Sequence, residues 1–373
     1  MIRKYLRDKW FRLFLRSAFH AEGKFAIAES LRGLLTANEH VVSTINNVAA
    51  PYTELEGSFF GQRPFQKPNC VIITGRFRSG STMLWNVFRQ LDDVTAFYEP
   101  LNERRWFDAS HRGDSVDRTH RGVTNYWREY EGLEELSELY QEDWTRNQLY
   151  MDERSWEPQL KQYIERLVES SQGTAVLQFN RIDFRLAWIV KSFPGVQIVH
   201  LMRHPRDQWC STLGCPSSFG PNDGDLADFS RCDNYYLNTW VADLRYRFPF
   251  LADESKQHPY RCFYLLWKMS YLFARRYADI LLRFEDVIAQ PRMVLQETFD
   301  ALNLSSPNWV NVEALIKAPE IGRWKTYAAN DWFRDHELHC EQVLNEYLGT
   351  FVSDKCCLEK AASASRSEER VFE

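Results

Sequence analysis

Five short apolar runs recur through the middle of the chain: Val71–Ile73, Val94–Tyr98, Ala175–Phe179, Val196–Met202 and Ala278–Phe284. Runs of this length, apolar without alternation, predict strands buried on both faces of a parallel sheet. Between them the period changes. Met83, Leu84, Val87, Phe88 and Leu91 fall on one helical face, as do Phe263, Leu266, Met269 and Phe273. Further helices are predicted around Leu160–Val168, before Phe193-Pro194-Gly195, around Tyr235–Tyr246, and twice after the fifth strand. Strands alternating with helices predict an α/β domain: a three-layer sandwich around a mostly parallel five-stranded sheet. Ligands of such domains bind beyond the C-terminal ends of the strands. Thr74–Thr82, Glu99, Gln178–Arg181 and Arg203–Ser211 all fall on that edge.

The pattern also divides the chain. Residues 1–67 read as a helical N-terminal extension that ends in a loop at Pro64 and Pro68. Its opening, "MIRKYLRDKWFRLFLRSAF", mixes basic and apolar residues around the helical wheel. That mixing favours a docking or oligomerisation helix over peripheral membrane contact. Residues 68–350 form the main domain. Within it, 214–260 is rich in Pro, Gly, Asp and Ser and reads as an insertion that could cover an acceptor site as a lid. Residues 351–373 are a polar tail, expected to be disordered, most clearly from Ser363.

Composition narrows the function classes. Of 373 residues, 44% are hydrophobic, enough for a real core, and a net charge of −5 argues against a general nucleic-acid binder. The 13 Trp, 17 Tyr and 25 Phe offer stacking platforms for sugars or bases, although core packing explains most aromatics taken singly. The eight cysteines show no metal-ligand spacing, and His336 and His339 in "DHELHC" lie three apart, short of the H-E-x-x-H spacing. Free thiols, no apolar stretch of transmembrane length and no clear signal peptide together predict a cytoplasmic protein.

Chemistry concentrates in "VIITGRFRSGSTMLWNVFRQL", Val71 to Leu91. Strand, glycine-flanked polar loop and helix in this order build an anion cradle at a helix N-terminus. Gly75, Gly80 and Thr82 have the spacing of the phosphate loop G-x-x-x-x-G-K-[ST], but Ser81 stands where the lysine belongs. The nearest cation in the loop is Arg78. Ser79, Ser81 and Thr82 add hydroxyls around the backbone N–H groups. The fourth run ends in Arg203, where a nucleoside-triphosphate enzyme would place a magnesium-binding Asp. Ser211 follows eight residues later, two helical turns on. The sheet edge therefore offers two separate anion sites instead of one linear triphosphate site.

These segments resemble sulfotransferases that use 3′-phosphoadenosine-5′-phosphosulfate, especially the carbohydrate and bacterial branches with their P-loop-like fold. "GRFRSGSTML" looks like the 5′-phosphosulfate loop, and "FPGVQIVHLMRHPRDQWCS" like the 3′-phosphate motif with its Arg and Ser. "FYEPLN" is similar to the segment that carries the acidic base, and "ILLRFEDVIAQP" to a later strand-turn-helix. The likeness runs in patches from Val71 to Lys325. His204 replaces the usual Asp of R-D-P-R, and "KAPEIGRWK", with Lys317 and Arg323, matches a late basic loop only in part. Residues 101–170 and 214–260 match nothing in the family pattern and are left for the acceptor.

The resemblance implies that Arg76, Arg78, Ser79, Gly80, Ser81, Thr82, Arg203 and Ser211 bind the donor, with no metal. Arg78 would stabilise the leaving phosphate, and Glu99 would take the acceptor's proton. His204 is an alternative base, and Gln178, Asn180 and Arg181 serve the acceptor or only the sheet edge. The implied reaction moves a sulfuryl group to a hydroxyl or amine, with a glycan as the expected acceptor. A P-loop kinase and a non-catalytic nucleotide-binding protein are the alternatives. Oligomeric state is left open.

Overall fold

A computed structural model describes residues 44–47, 52, 55, 57–61, 68–316 and 321–368. The helix expected at the start of the chain and Lys317 lie outside the described residues. The parallel strands are β2 (Cys70–Thr74), β3 (Val94–Tyr98), β4 (Thr174–Phe179), β5 (Gln197–Met202) and β6 (Ile280–Arg283). All five apolar runs became strands because each is long enough to cross the core and has no polar face to expose. Val71, Ile72, Ile73, Val176, Leu177, Ile198 and Val199 are completely buried.

The sheet has six strands, one more than the sequence pattern predicts. The extra one, β1 (Phe59–Phe60), pairs antiparallel with β6, Phe59 opposite Leu281 and Phe60 opposite Ile280. Two residues are too few to show a period. Its position is set by long-range bonds instead: the Gly61 N–H donates to Asp279 O at 2.8 Å, and the Ser58 Oγ donates to Asp286 Oδ2 at 2.9 Å.

Strand order is β1-β6-β5-β2-β4-β3. In the centre, β2 lies parallel to both neighbours, with Ile72 opposite Leu177 of β4 and Ile198 of β5. The chain fills one side of β2 with β3 and β4, then crosses to the other side for β5 and β6. The C-terminal end of β2 is thus a topological switch point, the place where an open α/β sheet leaves a crevice.

The helices are α1 (Ser81–Phe88), α2 (Pro158–Glu169), α3 (Leu186–Ser192), α4 (Pro205–Thr212), α5 (Leu226–Phe229), α6 (Leu237–Leu244), α7 (Phe250–Glu254) and α8 (Tyr260–Tyr277), then α9 (Phe284–Ala289), α10 (Pro291–Ala301), α11 (Trp309–Leu315) and α12 (Asn330–Glu368). Among the described residues, four helices follow β6 where two are predicted. Pro291, at the first position of α10, lacks the N–H to continue α9 and splits the segment. The long α8 is nearly all buried and fastens the sheet edge: the Trp267 Nε1–H donates to Arg203 O at 3.0 Å. The backbone of α12 continues through the stretch expected to be a disordered tail, whose Ala, Glu and Lys are good helix formers, and ends at Glu368. No helix among the described residues is long and apolar enough to cross a membrane.

The two segments left for the acceptor, 101–170 and 214–260, frame the sheet edge. Residues 101–170 are held by side chain-to-backbone bonds: Tyr130 Oη donates to Tyr98 O at 3.0 Å, and Tyr163 Oη to Pro100 O at 2.8 Å. The insertion 214–260 packs on itself and on α12. Phe219 meets Phe229 and His258, and the Trp332 Nε1–H of α12 donates to Pro221 O at 3.2 Å. Among the described residues of the insertion, only Asn234, Tyr235 and Tyr236 line the crevice.

Candidate active site

A cavity of about 820 Å³ opens beyond the C-terminal ends of the central strands. The loop after β2 enters it tightly. Arg78 has φ 66° and Gly80 φ 99°, and the Ser79 N–H closes the turn on Arg76 O at 3.1 Å. Gly80 is the N-cap of α1 and has no side chain to cap it. The first N–H groups of the helix therefore lack a side-chain acceptor, and Gly80, Ser81 and Thr82 line the cavity. This is a cradle for an oxyanion. Ser79 sits just behind it, buried, with its Oγ unpartnered.

The β5 side supplies the second cationic group. Arg203 is buried over the Phe284 ring, 5.0 Å from its centroid, and its Nη1 donates to Arg78 O at 3.2 Å. Burial draws the Arg203 pKa down, against the opposing pull of Asp207 and Glu285. Ser211, on α4, accepts a 3.0 Å hydrogen bond from Arg78 Nε. The two anion sites read from separate strands therefore touch in one cavity. Arg323 lines the same cavity.

Glu99 directly follows β3, in a strained left-handed conformation (φ 38°), and is only 5% exposed. It accepts hydrogen bonds from Asn180 Nδ2, from Asn102 Nδ2 at 2.6 Å and from Arg181 Nη1 at 3.2 Å. Asn180 Oδ1 in turn accepts from Ser81 Oγ at 2.9 Å and from Gln178 Nε2 at 3.0 Å. Two hydrogen bonds thus run from the helix start to the carboxylate. Asn180 and Arg181 line the cavity, and Gln178 stands behind Asn180. Thr82 Oγ1 lies 3.1 Å from Tyr98 Oη, tying the loop to the end of β3.

Two expected residues point elsewhere. The Arg76 guanidinium lies 4.1 Å from the Trp240 ring centroid and 3.8 Å from Asp183, away from the cavity. Strand alternation would put Arg76 and Arg78 on the same face, but the strand ends at Thr74 and the turn at Arg78, with its positive φ of 66°, sends the two side chains apart. His204 is also outside the cavity. Its Nδ1 accepts from the Arg206 N–H at 3.3 Å, and its ring stacks on Trp324. Burial pushes its pKa down to about 4, further lowered by nearby arginines and opposed by Asp207. It packs against Trp324 and Tyr52 outside the cavity lining.

Other cavity residues carry no motif. His120 and Tyr126 come from the segment after β3, with His120 Nδ1 2.6 Å from Tyr126 Oη, which also accepts from the Asp117 N–H at 2.9 Å. Burial, foremost, lowers the His120 pKa. Tyr126 stacks on Tyr98 at 4.5 Å between centroids. Tyr235 and Tyr236 close the opposite wall from the insertion. Only the absence of any other role for these polar-aromatic segments could have signalled them.

A family model described as "Sulfotransferase family" matches residues 68–308. No curated protein matches the sequence. Among solved structures, the chain is similar to a sulfotransferase from Alicyclobacillus acidocaldarius at 15% identity, covering 76% of this chain and 96% of that one, with a TM-score of 0.35. A sulfotransferase from Mycobacterium avium is similar at 14% identity, 77% of each chain and a TM-score of 0.39. One from Mycobacterium tuberculosis is similar at 12% identity, 89% of this chain and 86% of that one, with a TM-score of 0.33. The span matched by the family model takes in the loop after β2, Glu99 and the Arg203–Ser211 segment, and by that match the chain belongs to the sulfotransferase family.

Proposed function

We propose that this sulfotransferase takes its sulfuryl group from 3′-phosphoadenosine-5′-phosphosulfate and delivers it to a hydroxyl of a glycan. The observation that carries the donor assignment is the contact of Arg78 with both Arg203 and Ser211 in one cavity. A nucleotide with anionic groups at both the 5′ and the 3′ position fits two neighbouring but distinct cationic sites better than a linear triphosphate does. The unpartnered Ser79 Oγ and the uncapped start of α1 fit the same ligand. The donor, when bound, supplies an activated sulfuryl group.

In this reading the backbone of Ser79–Thr82 holds the 5′-phosphosulfate, and Arg203 and Ser211 hold the 3′-phosphate. Glu99 takes the proton of the acceptor hydroxyl as the oxygen–sulfur bond forms. Arg78 receives the charge that develops on the phosphate oxygen as the sulfur–oxygen bond breaks, leaving adenosine 3′,5′-bisphosphate. The glycan assignment rests on the polar lining of the cavity. Asn86, Asn102, Asp117, Thr119 and His120 present donors and acceptors there, as a polyhydroxyl acceptor requires, with Tyr126 among them.

Thermal unfolding with adenosine 3′,5′-bisphosphate against ATP plus Mg²⁺ tests the donor. At about 100 times its Kd the bisphosphate should add about 2.7 kcal/mol of stability. Stabilisation by ATP alone overturns the assignment in favour of a kinase. Transfer of ³⁵S from labelled donor to a panel of neutral and acidic oligosaccharides, with a simple phenol and an amine as controls, tests the acceptor. Labelling of the phenol or the amine alone overturns the glycan.

A further inference from the structure

Glu99 faces a difficulty as a base. It is buried and bonded to Arg181, which is itself only 2% exposed. A carboxylate neutralised by a dedicated buried guanidinium is a poor proton acceptor. Arg181, however, is not dedicated to it. Its Nη1 reaches Glu99 Oε2 at 3.2 Å while its Nη2 reaches Glu103 Oε2 at 2.7 Å. Glu103 is the better placed of the two for ion pairing, with the shorter contact. Its second oxygen, Oε1, accepts a hydrogen bond from Tyr236 Oη of the insertion. The Phe77 and Tyr236 rings hold the guanidinium in place, 5.1 and 5.4 Å from their centroids.

We infer that Glu103 is a positioning residue that shares the charge of Arg181 and so leaves Glu99 able to accept a proton. The inference rests on the reading of Glu99 as the base. The group of Glu99, Arg181 and Glu103 carries one net negative charge when all are ionised. A proton taken up at Glu99 brings that group to neutrality, whereas without Glu103 the same proton would leave a buried, uncompensated cation. Tyr236 ties this arrangement to the insertion, which gives the insertion a part in the chemistry. Desolvation, the largest influence, works against ionisation of Glu103, but Arg181 and Tyr236 together hold its pKa below the ordinary value. Burial likewise works against the charge on Arg181, and the two carboxylates overcome it.

Other groups act on the same pair. Tyr98, Tyr126, Tyr130 and His120 feel the Glu99 charge, and Arg146 and Tyr140 feel that of Glu103. The test must therefore change charge at Glu103 alone. The ¹³C carboxyl signal of Glu99, assigned by its loss in Glu99→Gln, is followed against pH in the full-length protein. Glu103→Gln should move the protonation of Glu99 down by about one pH unit, a roughly tenfold change in proton affinity. Glu103→Asp, which keeps the charge, should restore it. In parallel, turnover of ³⁵S-labelled donor with water as acceptor should lose activity at lower pH in Glu103→Gln than in the wild type, with a lower plateau.

Binding of adenosine 3′,5′-bisphosphate confirms that each variant is folded. An unmoved Glu99 signal in folded Glu103→Gln overturns the inference. So does a shift that Glu103→Asp reproduces, since that would mark a role in packing. If Glu99→Gln turns over donor normally while the Glu99 signal still shifts in Glu103→Gln, the charge sharing stands and the base assignment fails instead.

Discussion

Arg78 Nε donates a 3.0 Å hydrogen bond to Ser211 Oγ, across 133 residues of sequence. The arginine belongs to the loop after β2 and the serine to α4 after β5. The group assigned to the leaving phosphate and the group assigned to the 3′-phosphate are thus in direct contact. Arg78 also accepts from Arg203 through its carbonyl.

The first prediction follows from that bond. Arg78→Ala and Ser211→Ala should be non-additive in bisphosphate affinity, with a coupling of about 0.5–3 kcal/mol in a double-mutant cycle. Arg78→Ala alone should slow transfer much more than it weakens bisphosphate binding, because its contacts strengthen as charge builds on the leaving oxygen. Calorimetry and single-turnover transfer check the two parts. Strict additivity would mean that the two sites act independently.

Arg203 tests the nucleotide assignment by subtraction. Arg203→Ala should weaken adenosine 3′,5′-bisphosphate by about 1.5–3 kcal/mol and hardly change AMP, which has no 3′-phosphate. Equal losses for the two ligands in calorimetry would assign Arg203 to supporting the Arg78 turn instead.

Glu99→Gln keeps the shape of the side chain and removes the base. Transfer should fall roughly 10²–10⁴-fold, while bisphosphate binding persists. His204→Ala, changed outside the cavity, should keep the transfer step close to that of wild type. Rapid-quench measurements of both variants decide between the two residues. Collapse in His204→Ala with near-normal transfer in Glu99→Gln would move the base to the histidine.

At Gly80 two obstacles to a side chain combine. The glycine has φ 99°, and an added Cβ would lie 2.5 Å from the Phe284 ring. Gly113 has φ 65° with nothing near its Cβ position. Gly113→Ala therefore isolates the backbone strain, about 1–3 kcal/mol at most. Gly80→Ala should cost more than that in urea unfolding and should also weaken bisphosphate binding. Equal costs at the two positions would show that Phe284 moves aside freely.

His200, in β5, sets a pH dependence of stability. It is buried with an unpartnered Nδ1, and burial, chiefly, pushes its pKa down from 6.5 to about 4. Between these values the unfolded chain binds a proton that the folded chain refuses, so stability rises with pH across the window. The contribution is fully present above pH 6.5 and is lost as pH falls toward about 4. One such proton corresponds to a slope of about 1.4 kcal/mol per pH unit. Urea unfolding from pH 7.5 to 4.5 should show the decline, and His200→Gln should flatten it by about that slope. An unchanged slope would place the excess proton on another buried histidine.

The pattern of apolar runs was enough to predict the sheet and its active edge. Val71–Ile73 and Val196–Met202 are apolar without a break, and a run with no polar face has nowhere to lie except between two layers of helix. Gly75, Gly80 and the hydroxyls around them made the turn after β2 legible, because close backbone approach and positive φ demand particular residue types. Arg203 and Ser211 were legible for the same reason, as a fixed spacing between a strand end and the following helix. Which side chains meet is settled by how the elements pack. Arg76 and Arg78 look equivalent in the sequence, yet one lies on Trp240 and the other on Ser211. The two-residue β1, the pairing of His120 with Tyr126, and Arg181 shared between Glu99 and Glu103 also left no local sign. The reason is physical. Period and turn chemistry act over a few neighbouring residues, so they mark elements and their ends. Burial, charge pairing and hydrogen bonding across 80 to 130 residues depend on how those elements pack, which no short stretch of sequence contains.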